Sequence, residues 1–316
     1  MNISYSDPLS RAWNRMKKAL FQPFDIGKWF TIGFTAFLAT LMAGTGSPGG
    51  GANYSTRNSM DNFDWEELLE WPTIAWYWLI NHPFWFALII VGIVFLFAVM
   101  IILTWVSSRG KFMFIDNIVH DKAEVSKPWN DFSREGNSLF LWRLVFGLIS
   151  AFLILGSIIV ALVVMVNLFT GETTFGTKII SIVGIIFEFL VLMIIISYIS
   201  MLLNDFVVPI MYKHRINTTQ AWLKFMPVLF SNFWDFIVYG LFVFVLIIVT
   251  IICIIFFGLF TCCIGFLLLV IPYIGSVVLL PVTYTFRAFS IEFLEQYSED
   301  FKIFPKPEPV EENLVV

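Results

Sequence analysis

From residue 84 to 106 the chain carries no charged side chain, and from 236 to 260 the same is true again. A helix rises about 1.5 Å per residue, so roughly 20 apolar residues cross the ~30 Å hydrocarbon core of a bilayer. A helix that is apolar on every side also needs apolar surroundings on every side. Six runs approach that length, at residues 26–45, 84–106, 139–169, 179–203, 236–260 and 266–286. Only 13% of the chain is charged and 59% is hydrophobic, whereas a soluble domain carries about 25% charged residues. The expectation is an all-α, polytopic membrane protein with six transmembrane helices. The first run is the weakest, because its strictly apolar part covers only residues 29–43 and Lys28 has to snorkel to the interface. Pro272, Gly275 and Pro281 should bend the last run.

The 19 Lys and Arg are distributed unevenly around these runs. Arg11, Arg15, Lys17, Lys18 and Lys28 precede the first. Arg109, Lys111, Lys122, Lys127 and Arg134 separate the second from the third, and Arg143 sits at the same-side end of the third. Lys213, Arg215 and Lys224 separate the fourth from the fifth, and Arg287, Lys302 and Lys306 follow the sixth. Only Arg57 and Lys178 fall on the other side. The positive-inside rule then places both termini in the cytoplasm, with the protein in a cytoplasmic membrane. The first 28 residues, mostly polar, do not read as a signal peptide.

A repeat is hidden in the cytoplasmic segments. Ala12-Trp13, Leu20-Phe21 and Phe24 recur as Ala221-Trp222, Leu229-Phe230 and Phe233 at a constant offset of 209, and Trp129, Phe132 and Phe140 form a fainter copy. Each copy reads as an amphipathic helix, a break, and then a pair of spans. The breaks are Pro23, Gly136-Asn137 and Ser231-Asn232. In the first copy Asp7 caps and Pro8 opens the helix. Leu9, Ala12, Trp13, Met16 and Leu20 form one face, while Arg11, Asn14, Arg15 and Lys18 line the other. Each basic residue there adds about 1 kcal/mol on an anionic leaflet. Two spans per copy make three parallel pseudo-repeats, at about 8–108, 126–208 and 219–289, inside a single domain of residues 1–297.

Ser108-Arg109-Gly110-Lys111-Phe112-Met113-Phe114, then Pro128-Trp129 and Asn137-Ser138-Leu139-Phe140, together with Pro23-Phe24-Asp25 before Trp29, resemble an uncharacterised family of prokaryotic multi-pass membrane proteins. The resemblance covers most of the chain and implies a prokaryotic cytoplasmic membrane, but no activity. Asp205-Phe206-Val207-Val208-Pro209, followed by Ala221-Trp222, is distantly similar to the membrane domain of some glycerophosphodiester phosphodiesterases, whose catalytic domain has no counterpart here.

The loop of residues 46–82 opens with a glycine-rich linker and continues with Asp61, Asp64, Glu66, Glu67 and Glu70 among Trp65, Leu68, Leu69 and Trp71. This predicts a short acidic amphipathic helix on the outer surface, followed by an interfacial belt of Trp76, Tyr77 and Trp78. Residues 298–316, with Pro305, Pro307 and Pro309 among acids, read as a disordered cytoplasmic tail. His82, His120 and His214 lie in separate loops, and Cys253, Cys262 and Cys263 lack metal-ligand spacing, so no metal or cofactor is expected.

Of the polar residues within or beside the apolar runs, Glu188, Asn204, Asp205 and Arg143 are the candidate site residues. Glu188 is ten positions into the fourth run, where an acid costs about 2.5–3.5 kcal/mol on insertion. It shares a face with Ser181 and Gly184. Two readings stay open: a hydrogen bond across a helix interface, or a proton or ion site facing Ser150, Asn167 or Thr283. Ser197, Ser200 and Asn204 share another face, with Asp205 and Pro209 at the membrane exit, where capping is expected. G-x-S-x-G, H-E-x-x-H and clusters of His with carboxylates are absent from the sequence, and topology accounts for the basic residues without nucleic acid. The expected partners are the bilayer, its anionic cytoplasmic leaflet and other membrane proteins. The leading expectation is a non-enzymatic protein that organises or assists membrane components; the alternative is a small transporter or channel using Glu188.

Overall fold

The computed structural model describes residues 3–42, 73–74, 76–170, 174–261 and 264–305, and among them every regular element is helical. The main elements are α1 (Ser6–Phe21), α2 (Ile26–Thr40), α3 (Pro83–His120), α4 (Ser126–Asp131), α5 (Ser133–Thr170) and α6 (Phe175–Leu202). A π-helical turn (Leu203–Val207) leads into α7 (Val208–His214), α8 (Thr218–Ser231) and α9 (Phe233–Phe260). The chain closes with α10 (Ile264–Val270), α11 (Pro272–Val278), α12 (Leu280–Leu294) and a 3-10 turn (Glu299–Phe301).

Four helices are long and apolar enough to cross a membrane: Pro83–His120, Ser133–Leu168, Phe175–His214 and Phe233–Phe260. By length and composition this is a membrane protein. The bent pair α11 and α12, at 65°, supplies a fifth if counted as one span. Six are therefore not found among the described residues. The first expected span appears as the 15 residues of α2, about 22 Å long at 1.5 Å per residue. The last run is broken as its prolines require. Ile271 is extended before Pro272, and Leu279 leaves helical geometry before α12, which carries Pro281 in its first turn.

The chain forms two compact units. The minor unit takes Gly49–Thr104 and Arg143–Ser197, and holds the apolar stretches of α3, α5 and α6. The major unit takes Met1–Pro48, Trp105–Trp142 and Tyr198–Val316. Its core includes Met16, Leu20, Phe112, Phe206, Phe225, Phe236, Phe289 and Phe293, all essentially inaccessible. Burying each such side chain contributes about 1.5–3 kcal/mol. Phe206 is central: it stacks on Phe225 at 5.4 Å and meets Phe236 edge-on at 5.0 Å.

α1 buries Pro8, Ala12, Met16, Ala19 and Leu20, one helical face, against α12. The Ser4 hydroxyl, not Asp7, accepts the first-turn N–H bond, from Asp7 itself at 3.2 Å; Asp7 lies inside the first turn, where its charge favours the helix dipole. α2 is capped by Asp25, which accepts from the N–H groups of Gly27 (2.8 Å) and Lys28 (3.3 Å). Lys28, the residue expected at the interface, pairs with Asp121 at 2.8 Å. The tail also differs from expectation. Phe301, Ile303 and Phe304 are buried, so the segment up to Pro305 is docked rather than disordered. Residues 306–316, the acidic helix expected at 61–71, and Cys262 and Cys263 lie outside the described residues.

Candidate functional site

The polar groups of the major unit converge at the π-helical turn. Val208 donates its N–H to the Leu203 carbonyl, five residues back. The next donor in that pattern would come from residue 209 to the Asn204 carbonyl, but Pro209 has no N–H. The acceptor left over is taken by Arg287 of α12, whose Nη1 donates to the Asn204 carbonyl at 2.6 Å. The Asn204 side chain is used at both ends: its amide donates to the Ser200 carbonyl at 2.7 Å, and its Oδ1 accepts from Lys111 Nζ. Asp205 accepts from the buried Tyr239 hydroxyl at 3.1 Å. Arg287 and Lys111 are the cations that act on the Asp205 carboxylate. Thus α3, α9 and α12 each place one polar group, and the turn after α6 two, in a junction.

The motif around Arg109 builds the same region. Arg109 lies over Trp105 and Trp129, 4.5 and 5.1 Å from their ring centres, and donates to Asn137 Oδ1 at 3.1 Å. Gly110 lets α3 approach α2: a Cβ there would fall 2.7 Å from the Leu38 backbone carbon. Ser107 seals that contact by donating to the Ala39 carbonyl at 3.1 Å. Lys111 turns into the junction, only 3% exposed, and Phe112 stacks on Phe132 at 5.8 Å.

A second polar centre fastens both ends of the chain. The buried Glu292 of α12 receives Arg11 at 2.7 Å and Arg15 at 2.6 Å. Arg15 also covers the Phe304 ring at 3.9 Å. Glu295 Oε1 accepts the N–H groups of Ile303 (2.7 Å) and Phe304 (2.8 Å). Burial pushes the Glu295 carboxyl up from its ordinary value, and those two N–H bonds pull it back down. Asp300 pairs with Lys224 at 2.7 Å, and the hydrogen bond from Lys224 holds its carboxyl below the usual range.

In the minor unit, Ser157 of α5 donates to Glu188 Oε1 at 3.3 Å. Glu188 thus has a cross-helix bond, yet it remains exposed. The expected close packing around Gly184 and Gly147 is not found, because nothing lies within 4 Å of a Cβ built at either. Asn167 donates to the Val163 carbonyl of its own helix. Arg143, partly buried on α5, belongs to this unit, while Asn204 and Asp205 belong to the junction. Sequence reasoning singled out Asn204 and Asp205 but took Lys111 and Arg287 as topological charges and overlooked Tyr239 and Glu292. The available signal was the position of both cations at the end of an apolar run.

What the junction does chemically is hold charge. One carboxylate, two cations, an amide and a phenol have one another as partners, beside a turn whose broken hydrogen-bond ladder is repaired by Arg287. Among the described residues no group of three or more His, Cys, Asp or Glu is placed to hold a metal ion.

No curated protein and no solved structure matches the chain, and the likeness to the phosphodiesterase membrane domain finds no support. The profile of one family, described as a family of unknown function (DUF7544), matches residues 4–291. A match over that much of the sequence, through both units, makes the chain a member of the DUF7544 family.

Proposed function

We propose that this is a non-enzymatic membrane protein that organises or assists other membrane components through the cytoplasmic helices of its major unit, which form a rigid platform. The observation that carries this reading is the mutual pairing of Lys111, Asn204, Asp205, Tyr239 and Arg287. Charges so consumed fix the geometry of helices and leave the outer faces to meet partners. The platform rests on an anionic leaflet through α1 and the link after it, where Trp13, Phe21 and Phe24 are exposed and Lys17 lies over the Trp13 ring at 5.6 Å. Arg11 and Arg15 belong to Glu292, so Lys17 and Lys18 are the residues of α1 that meet lipid headgroups.

The three-fold repeat and six-span topology belong to the same proposal, with α2 and the α10–α12 segment as the irregular members. Their support is a shared burial pattern. Ala12, Met16 and Leu20, then Pro128, Phe132 and Gly136, then Ala221, Phe225 and Leu229 are all buried, at identical spacing from the preceding or equivalent Trp. The middle copy is the most altered, since α4 has only six residues and Phe132 breaks it from α5.

The alternative, transport through Glu188, rests on its bond to Ser157. Proton and sodium flux into reconstituted vesicles separates the two. The platform reading expects no flux above that of protein-free vesicles. Wild-type flux that disappears in Glu188→Gln would overturn it.

A further inference from the structure

We propose that Lys224 and Lys213, at the corner between α7 and α8, form a site for the phosphate group of an anionic membrane lipid, and that Asp300 occupies this site from within the chain. Lys224 Nζ lies 2.7 Å from Asp300 Oδ2 and 3.1 Å from His214 Nε2. Lys213 is exposed and acts on the same carboxylate through its charge. Two ammonium groups therefore face one carboxylate, and the corner keeps a positive excess. A phosphate monoester carries about 1.5 to 2 negative charges and three strong acceptor oxygens, so it can serve both lysines where Asp300 bonds to one. Asp300 is also exchangeable. Its side chain is 54% exposed, and an ion pair so open to water contributes little to holding a segment in place. Docking is the work of Phe301, Ile303 and Phe304, which are buried, and of Glu295, which accepts the N–H groups of residues 303 and 304. The same segment reaches Arg15, the counterpart of Lys224 at the offset of 209. There the anion is closed off, because Arg15 is bound to Glu292, only 3% exposed.

The lipid source follows from α8. This helix buries Thr218, Ala221, Phe225 and Leu229. Its other side exposes Leu223, Pro227 and Phe230, at helical spacings of four and three, and the exposed Trp234 continues the stripe into the first turn of the candidate span α9. Lys224 stands beside Leu223 at the edge of that stripe. An apolar stripe flanked by a base, at the entry to a span, suits a helix seated among lipid headgroups. A free phosphate ion would meet the two lysines and gain nothing from the stripe. The inference rests on the leaflet contact of the proposed platform, which it extends from α1 to α8.

The test uses the full-length protein in a neutral detergent, titrated with short-chain phosphatidic acid or with phosphatidylcholine of the same chains, and retained lipid is counted by native mass spectrometry. Wild type should prefer phosphatidic acid. Lys224→Gln should bind it about ten-fold or more weakly, the loss of a hydrogen bond to a charged group. Asp300→Asn, which removes the internal anion, should bind it about two- to five-fold more tightly. Phe304→Ala frees the segment with Asp300 in place and should tighten binding in the same direction, so the result does not hang on one variant. Lys302→Gln, which alters the segment away from the corner, should change nothing. Lys17→Gln with Lys18→Gln removes the α1 contact and should leave the effects of Lys224→Gln and Asp300→Asn as they are, so the two leaflet contacts fail separately. No preference for phosphatidic acid in the wild type, unchanged binding by Lys224→Gln, or no tightening in either Asp300→Asn or Phe304→Ala would overturn the proposal. Inorganic phosphate that displaces phosphatidic acid at equal concentration would overturn the lipid source and assign the corner to a soluble anion.

Discussion

Asp205 and Glu188 lie 17 positions apart on one continuous helical stretch, Phe175–His214, and have opposite structural weights. Asp205 counters Lys111 and Arg287 and accepts from Tyr239. Removing it takes away the nearby counter-charge and leaves the buried Tyr239 hydroxyl without its acceptor, which costs about 1–3 kcal/mol. Asp205→Leu should therefore lower the unfolding midpoint in detergent sharply, while Glu188→Leu should lose only about 0.6 kcal/mol, the mean for a hydrogen bond between membrane helices. Equal losses in the two variants would show that the junction does not bear this weight. Sequence gave notice of Asp205 through its neighbour Pro209, which forbids a regular ladder. It could not reveal the partners, because Lys111 and Arg287 lie 93 and 83 positions from Asn204. A lone base at the end of an apolar run looks the same whether it faces headgroups or a buried carboxylate.

At the scale of elements, backbone approach and end-fastening decide the packing. Gly110 lies against Leu38 and Ala39 with no room for a side chain, so Gly110→Val should push α2 away from α3 and destabilise the protein by about 1–3 kcal/mol. Adding Leu38→Ala should recover little, because the side-chain atom in the way is the Leu38 Cβ, which alanine keeps, and backbone atoms of residues 38 and 39 are equally close. The docked segment of residues 298–305 makes a further prediction. Phe304 is buried under Arg15, and Phe304→Ala should free the segment, seen as faster protease cleavage near residues 301–304 with the rest of the chain intact. The segment should also withstand mild acid. The depressed Asp300 carboxyl contributes to stability above its unfolded pKa of about 3.9, and that contribution is lost only as pH falls through the lower folded value. Glu295 has the opposite sign: its carboxyl is raised by burial, so taking up a proton as pH falls adds stability there and does not loosen the segment in mild acid. Labelling of Ile303→Cys should therefore stay slow at pH 5 and quicken only below about pH 4. The proline-rich composition after residue 304 concealed this docking: the anchors Phe301, Ile303 and Phe304 are three apolar residues among acids, and their receptor is built from α1 and α12.

For the whole molecule, composition and run length made the all-α membrane class legible, because a bilayer imposes its thickness directly on sequence. The number of spans was less legible. Apolarity continues through residues 41–43, yet α2 ends at Thr40, and the last run breaks at its prolines. Orientation rests on charge asymmetry alone, and the proposed platform, its leaflet and its partners all depend on it. The most direct measurement is thiol accessibility in sealed cells, on a chain with its native cysteines changed to Ser. Ser126 and Thr174 are both exposed, one before and one after α5 in the sequence. A membrane-impermeant reagent added outside should label Thr174→Cys and leave Ser126→Cys untouched until the membrane is opened. Labelling of Ser126→Cys from outside, with Thr174→Cys protected, would contradict the account.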